Sequence, residues 1–354
     1  MYNGVKVLDV HQHLVVPGSF GVYQMSLTTL RGGGNYKVSD DEMDEYCQEH
    51  LRYCDERNID CLFDSQRPVW FQHWDQLFIQ QRWCETTNNV LDQQHRLNPT
   101  RIFGVAQLPQ NVKLDTKHCV VELERCFKEL HGFVAAMVNP DPGSDGEYPP
   151  MNHEYWYPLY EAAEKLGAPL IVHPAFFKDK WDMWGRVPAS YQMNNVIHEF
   201  ISWNVLEHSD VFDVFPNLKV VICHCGGALS RFRTNKNSPQ RKAQTGKLYF
   251  DTCAYDLDFL QTAIKQWGPD RMMFGTEAPG SGRAINPETG RSDDDLVPTI
   301  DGIGFLSKEE KIAIVNTNIK ATFPKFKEPE TTTPARPATP GAQLMFGGKS
   351  GLWF

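Results

Sequence analysis

Eight short runs of β-branched and aliphatic residues, separated by longer stretches of helical period, restrict this chain to very few architectures. The runs are Val5–Val10, Ile59–Phe63, Ile102–Leu108, Phe133–Val138, Pro169–Val172, Leu218–Cys223, Leu248–Thr252 and Arg271–Phe274. Strand and helix in alternation point to parallel strands with helices packed outside them. Helices are expected from Ser39 to about Asn58, at Leu77–Leu97, Asp115–Leu130 and Tyr155–Leu166, within Tyr191–Val214, and at Lys308–Thr322. Ser39 and Glu42 fit a capping box at the start of the first, and Asn98-Pro99 stops the second.

Eight strands is the count of a closed (β/α)8 barrel, the TIM-type α/β fold, and 354 residues with 41% hydrophobic content suit one such domain with loop insertions. An open doubly wound sheet is the main alternative, but its first strand-to-helix turn is usually glycine-rich. Here that turn is His11-Gln12-His13. The barrel is expected over residues 1–326. Residues 327–354, rich in Pro and Thr and ending in Leu352-Trp353-Phe354, read as an extended C-terminal arm. Those last apolar side chains are costly to leave in water. An arm docked on a neighbouring subunit of a homo-oligomer and a loose tail both remain open.

The formal charge of −9 argues against a nucleic-acid partner, which would call for a basic face, but not against a small acidic substrate met by a local arginine cluster. Nine cysteines, an odd number with several falling within expected helices and strands, suit a reducing compartment better than a disulfide scaffold. No apolar run approaches the roughly 20 residues that span a membrane, and Met1–Val10 lacks the layout of a signal peptide. A cytoplasmic protein is the expectation.

His11 and His13 close the first strand, and residues two apart on a strand point the same way, so both imidazoles can reach one ion. A lone His-x-His is weak evidence. Its force comes from His173, His224 and Glu277, which fall at the ends of the fifth, sixth and eighth strands, the rim where catalytic groups converge in such barrels. Imidazoles with one carboxylate form an N/O set suited to zinc or manganese. Cys223 and Cys225 flank His224 and invite a thiolate reading, but on a strand they would face away from it, as buried structural residues.

The His-x-His, the Ile-Val-His-Pro at His173, the Cys-His-Cys-Gly-Gly-Ala at His224 and the Phe-Gly-Thr-Glu at Glu277 resemble the decarboxylase and hydratase branch of the amidohydrolase superfamily, typified by aminocarboxymuconate-semialdehyde decarboxylase. The resemblance runs to about residue 325. The decarboxylases end their eighth strand in aspartate; Glu277, with Ala278-Pro279-Gly280, Arg283 and Asn286–Gly290, looks like the hydratases instead, as do Asn139–Gly143, Tyr155–Pro158 and Phe250–Cys253. The segment Pro174–Asn195 departs from them, with Asn194-Asn195 where a tyrosine pair is expected.

The resemblance implies a lyase that adds water to an unsaturated oxo-di- or tricarboxylate, such as 4-oxalomesaconate, in aromatic catabolism; a non-oxidative decarboxylase is the alternative. It implies one divalent ion, zinc or else manganese, on His11, His13, His173 and Glu277. His224 is the expected general base, and Glu277 is a second catalytic candidate for proton transfer to carbon. Arg67, close after the second strand, and Arg283, in the loop after Glu277, are expected to clamp substrate carboxylates, because a guanidinium grips both oxygens at once. Arg31 and His73 are weaker candidates, better read as surface groups, and Asp251 as structural.

Overall fold

The computed structural model describes residues 1–29, 34–68, 73, 75–111, 113–143, 147–175, 190–229 and 247–338, the side chains of 28 and 190–196 excepted. Eight parallel strands hydrogen-bond in sequence order: β1 (Leu8–His13), β2 (Cys61–Ser65), β3 (Ile102–Gln107), β4 (Phe133–Val138), β5 (Leu170–Val172), β6 (Val220–Ile222), β7 (Leu248–Asp251) and β8 (Met272–Met273). The chain after β8 returns to β1. Val10 N–H donates to the Phe274 carbonyl at 3.0 Å, Glu277 N–H to His11 at 2.7 Å and His13 N–H to Ala278 at 2.9 Å. A (β/α)8 barrel results, and strands such as Phe-Val-Ala-Ala-Met-Val in β4 are apolar throughout because both faces are buried.

The helices that matter to the site are α1 (Gly18–Thr28), α2 (Asp40–Glu56), α3 (Leu77–Leu97), α4 (Lys117–Lys128), α5 (Tyr157–Leu166) and α6 (Ser190–Glu207). The expected helix within Tyr191–Val214 divides into α6 and a single turn, Val211–Val214. Helix α1 and the helix Leu257–Trp267 have no counterpart in the sequence reading. Glu42 N–H donates to the Ser39 hydroxyl at 3.1 Å, while the full reciprocal box forms at Ser307 and Glu310. No helix of the described residues is long and apolar enough to cross a membrane.

The end of the barrel opposite the histidines is closed by aromatic rings. Phe63 lies two residues before Ser65 on the same face of β2, and its ring centroid is 4.9 Å from Phe323 and 5.0 Å from Phe326. Phe103 adds a further edge contact to Phe326 at 4.8 Å. From there the chain runs outward as a strap. Lys6 Nζ donates to the Glu330 carbonyl, Arg101 to the Thr333 carbonyl, and Arg336 N–H to Gln48 of α2. Leu352, Trp353 and Phe354 lie outside the described residues.

Candidate metal centre and active site

Strand β1 continues through His13 rather than ending at Val10, because the returning chain after β8 supplies its hydrogen-bond partners. His11 and His13 therefore share the inner face, with ring centroids 5.2 Å apart. His173 follows β5 directly, its N–H bonded to the Val138 carbonyl at 3.0 Å. One ligand atom each from His11, His173, His224 and Glu277 falls within a span of 4.8 Å. The His13 ring is 5.5 Å from that of His173 and joins the same pocket.

His224 and Glu277 reach it by backbone conformations that a strand would not provide. Strand β6 stops at Ile222, and His224–Gly226 form one tight turn with φ of 49° at His224 and 55° at Cys225; Glu277 has φ of 59°. Left-handed residues other than glycine cost about 1–3 kcal/mol each and gather at functional sites. The assumption of a strand across Cys223–Cys225 is thus corrected, although both thiols are buried as expected. Gly226, at φ 85°, has room for no side chain: a Cβ there would come within 2.9 Å of Phe250.

Every imidazole in the pocket is anchored by Nδ1. His11 Nδ1 meets Asp251 Oδ2 at 2.7 Å, His173 Nδ1 the Pro174 carbonyl at 2.7 Å, and His224 Nδ1 Glu199 Oε1 at 2.5 Å. His13 Nδ1 meets the Ser65 hydroxyl at 3.0 Å, and that hydroxyl gives its own proton to the Gln12 carbonyl at 2.7 Å. Each partner accepts, so each ring carries a proton on Nδ1, and His11, His13 and His173 then turn an Nε2 lone pair inward, whereas His224 Nε2 meets Glu277 Oε1. The Nε2 atoms of His11, His13 and His173 are buried and without a hydrogen-bond partner among the described residues.

Glu277 faces these lone pairs. Its Oε1 lies 3.2 Å from His224 Nε2 and 3.7 Å from His173 Nε2, and its Oε2 accepts from Ser281 Oγ at 2.5 Å and Tyr255 OH at 3.3 Å. Burial opposes its charge, but the facing histidines outweigh burial and hold the carboxyl well below its usual range. Burial and the neighbouring histidines push His11 and His13 well below the normal imidazole value. His224 goes the other way: burial lowers it, yet Glu199 and Glu277 on either side hold it well above.

Buried polar atoms are nearly always paired, so three orphaned lone pairs beside an ionised carboxylate fit one divalent cation. The N/O donor set fits zinc or manganese. Burial pushes the Cys223, Cys225 and Cys253 thiols up, which keeps thiolate out of the set.

Arg67 stands two residues past β2, half-buried, and its charge is felt by His13, which places it at the pocket's edge. Arg283 sits in the turn Ser281–Arg283, its Nε donating to the Gly280 carbonyl at 3.2 Å. Strand β2 pairs with β1 on one side and the segment after β8 bonds it on the other, so each arginine follows a stretch of chain next to β1. His73 is buried rather than superficial, with Nδ1 2.9 Å from the Gln110 carbonyl and the ring pushed down to about 4 by burial. Arg31 and the side chains of Asn194-Asn195 lie outside the described residues. Asp251, Glu199 and Ser65 are the anchors the sequence reading did not assign. Two of them end strands, a signal that could have been used; Glu199 on α6 carries none.

A barrel of this topology with His-x-His on β1, His after β5 and β6 and a carboxylate after β8 defines a class, and the family profile named amidohydrolase matches residues 8–325. The chain belongs to the amidohydrolase family. It is similar to a 2-keto-4-carboxy-3-hexenedioate hydratase of Sphingobium sp. (strain NBRC 103272 / SYK-6), 29% identical over 303 residues that cover 82% of this chain and 86% of the relative. Among solved structures, 4-oxalomesaconate hydratase from Rhodopseudomonas palustris aligns at a TM-score of 0.76 and 28% identity, over 90% of this chain and 95% of that one. A dihydroxybenzoic acid decarboxylase from Polaromonas sp. JS666, solved with manganese and an inhibitor, shares the fold at a TM-score of 0.65 and 21% identity, over 92% and 97%.

Proposed function

We propose that this protein is a metal-dependent hydro-lyase that adds water to an unsaturated oxo-di- or tricarboxylate, 4-oxalomesaconate or a close analogue, in the cytoplasmic breakdown of aromatic compounds. One observation carries the reading: Glu277 stands at the β8 position within a chain that is similar to hydratases over more than four-fifths of its length. The decarboxylases that the sequence resembles have aspartate there.

His11, His13, His173 and Glu277 would hold one divalent ion, zinc first and manganese second, which supplies Lewis acidity when bound. Glu277, one of the two carboxylates that favour protonated His224, would be engaged by that ion, which would leave the ring able to accept a proton. His224, aimed by Glu199 through Nδ1, takes the proton of the attacking water on Nε2. The water oxygen bonds to the alkene carbon, and the π electrons move to the conjugated oxo group. Glu277 Oε1, 3.2 Å from His224 Nε2, offers the path by which that proton reaches the neighbouring carbon. Arg67 and Arg283 grip the substrate carboxylates from the two sides of β1. The strap up to residue 338 lies on its own barrel, so the proposed share of the arm in a homo-oligomer falls to the residues beyond it, and a chain ending at residue 338 should then show a smaller mass by light scattering.

Purified protein mixed with 4-oxalomesaconate tests the reaction. Loss of the ultraviolet chromophore without carbon dioxide is the expected result; loss with equimolar carbon dioxide would establish decarboxylation instead. Metal analysis should find about one divalent ion per chain. His11→Ala with His13→Ala should abolish it in a folded barrel, and retention of the metal would refute the ligand set.

A further inference from the structure

We propose that Asp251 is a positioning residue: one carboxylate oxygen sets the tautomer and aim of His11, and the other ties the His224 turn to the same point. The inference deepens the proposed function, because it rests on His11 being a ligand. Asp251 ends β7, is fully buried, and divides its two oxygens between two jobs. Oδ2 accepts from His11 Nδ1 at 2.7 Å. Oδ1 accepts from the backbone N–H of Cys225 at 3.1 Å and of Cys253 at 3.0 Å. Cys225 is the residue after His224 and shares its left-handed backbone. A single carboxylate thus spans β1, β7 and the turn after β6.

The contact has little freedom to be made otherwise. Gly275, on the returning segment after β8, approaches so closely that a Cβ there would stand 3.0 Å from both Asp251 Cβ and His11 Cβ. The two side chains are pressed against a bare backbone and held face to face. His11, Cys223 and Asp251 also lie close enough together to suggest a separate ion site. The 2.7 Å bond already occupies His11 Nδ1 and Asp251 Oδ2, and burial keeps the Cys223 thiol up. The trio is an anchor for His11.

Asp251→Asn separates this role from bulk structure, since it keeps volume and shape. Two backbone N–H groups demand an acceptor on one side, so the amide oxygen turns to Cys225 and Cys253 and the NH2 faces His11. An NH2 there cannot accept. His11 must then bind it through a bare Nδ1 and carry its proton on Nε2, which faces the pocket. Loss of such an orienting carboxylate typically weakens metal binding tenfold to a hundredfold, and the wrong tautomer is the known failure of the Asp-to-Asn change beside a catalytic histidine.

The experiment uses metal-free full-length protein labelled with 15N-histidine, the His11 signals being identified by their loss in His11→Gln. Wild type should show His11 protonated on Nδ1, and Asp251→Asn should show it on Nε2 with the His224 signals unmoved. Zinc affinity, read by chelator competition, should fall tenfold to a hundredfold in the same variant. An unchanged tautomer, or unchanged affinity while His11→Ala with His13→Ala loses zinc, overturns the positioning role and leaves the ligand set standing. Zinc retained by the double variant overturns the ligand set itself, and the tautomer then decides Asp251 alone. Should Asp251→Asn not fold, the wild-type spectrum still decides, since a proton on Nε2 of His11 contradicts the inference.

Discussion

Buried polar side chains occupy both ends of this barrel, and the two groups are treated oppositely. At the end closed by the strap, Arg101 is 2% exposed, yet its guanidinium donates to the Asp60, Ile59 and Thr333 carbonyls and to Asp55. The same end holds the interlocked rings of Phe63, Phe103, Phe323 and Phe326. At the other end, three imidazole nitrogens are buried without hydrogen-bond partners among the described residues, and His224, Cys225 and Glu277 adopt left-handed backbones. The first end stabilises the fold. The second carries strained backbone and nitrogen lone pairs aimed at one point, the marks of a functional site.

If that contrast is correct, substitutions at the two ends should affect different measurements. The largest effect is expected at the closed end. Phe323→Ala empties a fully buried ring from the plug and should lower unfolding stability by about 3–5 kcal/mol in urea titration, with the metal content of the folded fraction unchanged. Lost metal without lost stability would erase the distinction.

His224→Asn is the counterpart at the open end. Turnover should drop by about 10²-fold or more, roughly 2.7 kcal/mol in the barrier. Stability should hold, because asparagine tolerates the left-handed backbone better than most residues. Metal content should stay near normal; its loss would make His224 a ligand.

Arg67→Met and Arg283→Met should each lower kcat/KM by about tenfold to a hundredfold, with lysine at either place rescuing only part. Analogues lacking one carboxylate sharpen this. An arginine that reads a given carboxylate should scarcely matter for the analogue without it, whereas equal losses on every analogue would remove both arginines from the site. The smallest effect is expected on the strap: Arg336, 62% exposed, pairs with Asp44, and Arg336→Ala should cost no more than about 1 kcal/mol by thermal or urea unfolding.

The barrel and the convergence of its histidines were legible in the chain because both depend on local pattern. Alternating runs mark the strands, and the position of a residue at a strand's end places it on the rim without further information. His11, His13, His173, His224 and Glu277 were found in this way. Helix α1 was missed because it opens at Pro17-Gly18 without a side-chain cap and lacks a clear apolar stripe.

What tertiary structure alone decided is the state of those side chains. Which nitrogen of each ring carries the proton depends on Asp251, Ser65, Glu199 and the Pro174 carbonyl. Asp251 and Glu199 come from elements 240 and 25 residues away in sequence from the rings they hold, and no periodicity records such a pairing. The left-handed turns that aim His224 and Glu277 are equally invisible, since nothing in Cys-His-Cys or Thr-Glu-Ala favours them locally. They persist because the closed barrel and the hydrogen bonds around them outweigh the local preference of the chain.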